Sequence, residues 1–184
     1  MKIACIGWGS LIWNSRNLKI HQKWFEDGPI LPIEFARESD NGRITLVITT
    51  GAKPTRTLWA LMSVDSLDEA ISSLQEREGI KDKNKDILIG STRKQDDSKN
   101  ETEKAIKTWL NSNDLDAAIW TTLPPKIGKD ERIPSLDEVI QHLNKLGYED
   151  RLIAEEYVRK APKQIDTEYR RLIEIKLGWT FKMA

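Results

Sequence analysis

The stretch Gly7-Trp8-Gly9-Ser10-Leu11-Ile12-Trp13 decides how the rest of the chain is read. It follows the β-prone run Lys2 to Ile6, so it reads as a strand running into a tight glycine turn. A glycine turn after a first strand raises the dinucleotide fingerprint, G-x-G-x-x-G, in which the third glycine lets helix and strand pack closely. Ile12 stands at that third position. The following region carries Trp24, Gly28 and Pro29, where that fingerprint would have a helix, a second strand and a terminal acid. The loop therefore reads either as a plain turn or as an anion-binding loop of another kind. Two glycines let successive backbone N–H groups point inward together as a nest.

Outward from this loop, Asp27-Gly28-Pro29 reads as a turn, and Leu31 to Ala36 and Arg43 to Thr50 read as two strands. Ser39-Asp40-Asn41-Gly42 between them is a hairpin signal. Thr57 to Val64 is a further strand. Ser66-Leu67-Asp68-Glu69 and Ser135-Leu136-Asp137-Glu138 each place serine and glutamate three apart before an apolar stripe, the spacing of a capping box. The first of these helices is expected to end at Gly79, and the second to close at Gly147. Glu101 to Leu110 reads as a helix and Ala117 to Thr122 as a strand. Two final helices, about 149–159 and 167–177, are separated by Pro162 and ended by Gly178. Residues 91–100 read as a mobile polar loop. Strands dominate the first part and helices the last, without regular βαβα alternation, so the expected class is α+β.

The 184 residues suit a single domain, 1–184, with 159–184 as a helical C-terminal extension. Lysine plus arginine and aspartate plus glutamate each number 29, so the net charge is zero. Nucleic-acid binders usually carry a basic excess that releases phosphate counterions, and none is present. No run approaches the ~20 apolar residues of a membrane span, and the apolar stretch at the N-terminus is too short for a signal peptide. One cysteine, Cys5, lies in an apolar run and reads as a small core residue. These features lead to the expectation of a cytoplasmic protein without nucleic-acid or membrane partners. No His, Cys and carboxylate cluster has metal-ligand spacing, so no metal is expected. His21 and His142 read as surface residues, and no base near Ser10 in the sequence makes it a nucleophile.

Gly9-Ser10-Leu11-Ile12-Trp13 resembles the Gly-Ser-Leu loop of the gamma-glutamylcyclotransferase-like superfamily, nearest the ChaC branch. Phe35-Ala36-Arg37-Glu38-Ser39 with Asn41-Gly42-Arg43, then Thr57-Leu58-Trp59-Ala60-Leu61, Leu74-Gln75-Glu76-Arg77-Glu78 and the stretch 136–158 follow in the order of similar segments there. The resemblance covers about residues 1–160. It implies a small mixed β-barrel or sheet with surrounding helices and a helical C-terminus. It also implies cofactor-independent cyclisation of a γ-glutamyl amide to 5-oxoproline, with release of an amine or amino acid.

On this resemblance Glu78 is the catalytic base, and Trp8, Gly9, Ser10, Leu11, Ile12, Trp13 and Arg37 bind the substrate. The residue types suit that chemistry. Ring closure within one molecule begins at high effective molarity. What remains is to hold an anion on loop amides and to move a proton with one carboxylate. A helix C-terminus and burial would each raise the Glu78 pKa, whereas Glu76, two residues away, faces elsewhere on the helix. Arg37 has the fork geometry to anchor a carboxylate.

Two positions depart from the pattern. Trp8 replaces a tyrosine, and Ile119-Trp120 stands on the strand that commonly brings a second tyrosine to the pocket. An indole donates but offers no acceptor hydroxyl. The alternative expectation is therefore a catalytically altered binding module on the same fold.

Overall fold

The computed structural model describes residues 1–182. Strands β1 (Ile3–Gly7), β2 (Ile20–Phe25), β3 (Ile30–Glu38), β4 (Ile44–Ile48), β5 (Pro54–Arg56) and β6 (Leu58–Met62) precede helix α1 (Leu67–Glu78). Then come a short helix α2 (Lys85–Leu88), β7 (Ile89–Arg93), α3 (Glu101–Asn111) and β8 (Ala117–Thr121). Helices α4 (Leu136–Lys145), α5 (Tyr148–Lys160) and α6 (Glu168–Leu177) complete the chain. The class is α+β. No helix is long and apolar enough to cross a membrane among the described residues.

The chain forms two compact units. One contains residues 1–7, 14–31 and 56–122; the other contains 8–13, 32–55 and the chain from Leu123 onward. The first unit is built on a five-stranded sheet, β2-β6-β1-β8-β7. In it β1 runs antiparallel to β6 and parallel to β8, and β7 is antiparallel to β8. The sheet is open, with β2 and β7 at its edges. Of the expected barrel or sheet, the described strands form sheets, and no barrel closes among them. Pairing Cys5 with Ala60 and Ile119 sets these on one face, and Ile6 and Trp59 on the other. Trp59 meets Trp109 of α3 edge-on at 5.5 Å, so α3 covers the second face. The Arg77 and Glu78 charges bear on Cys5, which puts α1 on the first.

Local chemistry explains the helix ends. The Ser66 hydroxyl accepts the Glu69 N–H, and Gly79 closes α1 in the left-handed region at φ 66°, where a side chain would be strained. Ser135 and Glu138 form the full reciprocal capping box of α4. Gly147 does not close that helix; Leu146 caps its end and Gly147 starts α5. Residues 89–93, the last three of which the sequence suggests as mobile loop, form β7, with Ser91 opposite Ile119 and Thr92 opposite Ala118. An edge strand buries only part of its surface, so a polar composition does not exclude it.

The second unit carries the three-stranded sheet β4-β3-β5 and α4, α5 and α6. Phe35, Ile33, Ile44, Leu143, Ile173 and Trp179 are its buried core. The C-terminal segment is part of this core, because Ile165, Ile173 and Trp179 are almost wholly inaccessible. Arg170, 3% exposed, ties the α5–α6 corner by donating to the carbonyls of Ala161, Pro162 and Ile165. The Ser39–Gly42 segment turns β3 into β4 as expected, through a short 3-10 turn at Asp40–Gly42.

Candidate active site

Residues 8–13 of the glycine loop lie in the second unit. Ile12 N–H donates to the Gly9 carbonyl at 3.0 Å, closing a turn over residues 9–12. That bond uses the Ile12 amide. The Gly9 and Leu11 amides have no hydrogen-bond acceptor among the described residues, although Gly9 and Leu11 are both buried. Two amides without an acceptor within three residues of one turn are of the kind that can hold an anion. Ser10, Ile12 and Trp13 are half-exposed beside them.

β4 is an edge strand, and the loop covers part of its free edge. The Trp8 indole N–H donates to the Leu46 carbonyl at 3.1 Å, and the Leu46 N–H donates to the Tyr157 hydroxyl at 3.3 Å. Both outward-facing backbone groups of Leu46 are thereby satisfied, which is what an edge strand requires. Trp8 is 4% exposed. Its polar atom serves the sheet rather than an open surface, which gives the indole a structural reason of its own. Tyr157 from α5 reaches the same place, with Trp13 edge-on at 5.4 Å and Phe35 edge-on at 6.3 Å. Nothing in the spacing of the sequence points to Tyr157; only the packing of α5 brings it to the loop.

Arg37 is not on that side of its strand. The β3–β4 register pairs Phe35 with Leu46 but Arg37 with Thr45, with a bulge between. One extra residue turns the following side chains to the other face. Arg37 therefore shares a face with Thr45, whereas Phe35 faces Tyr157. Its Nη1 donates to the Pro124 carbonyl at 2.7 Å. Burial lowers its pKa, against the opposing pull of Glu131 and Asp40. His142, expected at the surface, is partly buried, with Nε2 2.7 Å from the Gly42 carbonyl oxygen.

Glu78 lies in the first unit, on the last turn of α1. Its Oε1 accepts from Arg77 Nη1 at 2.8 Å, and Arg77 Nη2 donates to the Asn14 carbonyl at 2.7 Å. Arg77 is 6% exposed, so its cation is held between these oxygens out of water. The Glu78 carboxylate thus sits against a buried guanidinium. Glu76 points away and accepts from the Asn17 amide. The Cys5 thiol beneath is pushed up to about 12, by burial first and by the Glu78 charge second. At neutral pH it is an inert core thiol.

Trp120 pairs with Gly90 and alternates with Ile119, so it faces α3 rather than α1. Its indole lies where a side chain at Gly90 would stand, with Cε2 at 2.2 Å from that position. The expected pocket aromatic is therefore on the opposite face of the sheet from Glu78. Among the described residues, no group of three His, Cys, Asp or Glu is placed to hold a metal ion.

No protein-family model, curated protein or solved structure matches this chain.

Proposed function

We propose that this chain is a gamma-glutamylcyclotransferase-like enzyme that cyclises a γ-glutamyl amide to 5-oxoproline. The observation that carries the reading is the pair of buried amides, Gly9 and Leu11, without acceptors among the described residues. In that reaction the α-amine of the γ-glutamyl group forms a bond to its own γ-carbonyl carbon, and the carbonyl oxygen becomes an oxyanion. Backbone donors suit either that oxyanion or the α-carboxylate. The ammonium must lose two protons to become the lactam N–H. One goes to solvent, which frees the attacking amine; Glu78, the only carboxylate that the resemblance assigns as base, takes the second as the new C–N bond forms and gives it to the departing amine as the old C–N bond breaks. The step needs no cofactor.

The test is 5-oxoproline release by purified protein from a panel of γ-glutamyl amides and dipeptides. Turnover by the wild type and its loss in Glu78→Gln support the assignment; turnover that survives Glu78→Gln removes Glu78 from the mechanism.

A second reading has its own support. The Trp8 indole is committed to Leu46 and the Glu78 carboxylate to Arg77, so both could serve a binding module that no longer turns over. A thermal shift with γ-glutamyl compounds and no product selects that reading.

A further inference from the structure

We infer that Tyr157 is a positioning residue for the Gly9–Leu11 turn, acting through Gly9 rather than on the substrate. This rests on the reading of that turn as an anion cradle. The backbone at Gly9 is not in the left-handed region, because the positive-φ glycines are Gly42, Gly51, Gly79, Gly128 and Gly178. Conformation alone therefore does not demand glycine at position 9. Space does. A Cβ there would stand 2.5 Å from the Tyr157 hydroxyl oxygen, and the next nearest atom, ring carbon Cζ, is 3.6 Å away. The phenol oxygen fills the place of the missing side chain.

That oxygen also accepts the Leu46 N–H, while the Leu46 carbonyl accepts the Trp8 indole. Residues 8 and 9 are thus registered against β4 from two sides, one contact from the loop itself and one from α5. The Tyr157 ring has little freedom, being 7% exposed with Trp13 and Phe35 edge-on against it. A turn whose amides must hold an anion needs its backbone fixed before the anion arrives. Tyr157 supplies that fixing.

The geometry makes an unusual demand on mutants, which is the basis of the test. Gly9→Ala collides with the hydroxyl, and Tyr157→Phe removes the colliding atom and leaves the ring carbon at ordinary contact distance. The two changes are therefore expected to compensate. On the full chain, Tyr157→Phe is expected to raise hydrogen exchange in the peptide covering residues 8–13 by about tenfold, the equivalent of one lost hydrogen bond. Exchange in α6 should stay unchanged. With a γ-glutamyl amide as probe, its KM should rise by about the same factor while kcat holds within about twofold. Gly9→Ala should be more severe in both readouts and in melting temperature. The double variant Gly9→Ala with Tyr157→Phe should recover most of the melting temperature and loop protection lost by Gly9→Ala.

The inference is overturned if Tyr157→Phe leaves loop exchange as in the wild type, if Gly9→Ala is harmless, or if the double variant is no better than Gly9→Ala alone. A wild type that neither binds nor turns over γ-glutamyl compounds overturns the proposed function instead. Loop exchange and the compensation between positions 9 and 157 still decide the role of Tyr157 in that case.

Discussion

The end of α1 and the glycine loop solve the same problem, holding polar groups still, by opposite means. At the end of α1 the means is charge: a buried guanidinium joins the Glu78 carboxylate to the Asn14 carbonyl. In the loop the means is shape and neutral hydrogen bonds, with a phenol oxygen in the space of an absent side chain and an indole on a strand edge. Charge tolerates small displacements, because Coulomb attraction falls off slowly with distance. Close packing does not, since an added methyl forces neighbours to move. The first arrangement should therefore fail when a charge is removed, and the second when a volume is changed.

The largest effect expected on this comparison is at the charged end. Glu78→Gln keeps the shape and removes the proposed proton carrier, so 5-oxoproline release should fall about 10³-fold, and the melting temperature should fall with it because the buried Arg77 cation loses its carboxylate. Arg77→Met comes next. It keeps the length of the side chain but leaves a carboxylate and a carbonyl without their cation, for a loss of about 3 kcal/mol in denaturant titration. A loss of less than about 0.5 kcal/mol, the size of an exposed pair, would show that charge is not what holds this end. At the neutral end, Trp8→Phe removes one indole donor from the Leu46 carbonyl and should cost about 1 kcal/mol, measured in the same titration. An effect as large as that of Arg77→Met would erase the distinction.

The smallest effect concerns Glu34, a carboxylate that sits among neutral donors. It is 5% exposed and accepts from the Phe35 and Tyr169 N–H groups and the Thr167 hydroxyl. Burial raises its pKa above the ordinary 4.5, and those hydrogen bonds offset only part of the rise. A carboxyl that holds its proton more tightly when folded contributes its full stability below the unfolded pKa. That contribution is lost as pH rises through the folded value. From pH 4.5 upward, this group alone makes stability decline until its folded pKa is passed. Glu34→Gln should flatten that part of the pH–stability curve, as read from melts across the range. An unchanged slope would mean that the donors fully offset the burial.

The two regions also differ in how far they could be read from the chain. The end of α1 was legible because its determinants are local. Ser66, Glu69 and Gly79 act across one turn of backbone, and the α+β class followed from such local signals along the chain. Glu78 was therefore placed correctly on the last turn of a helix. What surrounds it was not legible, because Asn14 is distant in sequence and no spacing rule joins it to Arg77. The loop after β1 was legible as a turn. The part of it that Tyr157 packs against was not, since the tyrosine lies in a helix, about 149–159, to which the sequence reading gave no site residue.

By itself, then, the sequence determined where α1 starts and ends, where α4 starts, the β3–β4 hairpin and the glycine turn, each of which depends on residues a few positions apart. Tertiary structure alone decided three further matters. The first is β7, whose polar residues become a strand only because β8 offers backbone partners. The second is the face of Arg37, which the bulge after Phe35 reverses, and with it the side on which that cation lies. The third is the reason for glycine at position 9: its φ would admit a side chain, and the Tyr157 hydroxyl occupies the space that side chain would need. Each depends on which distant segment lies alongside, and that is set by the burial of whole elements rather than by any local preference.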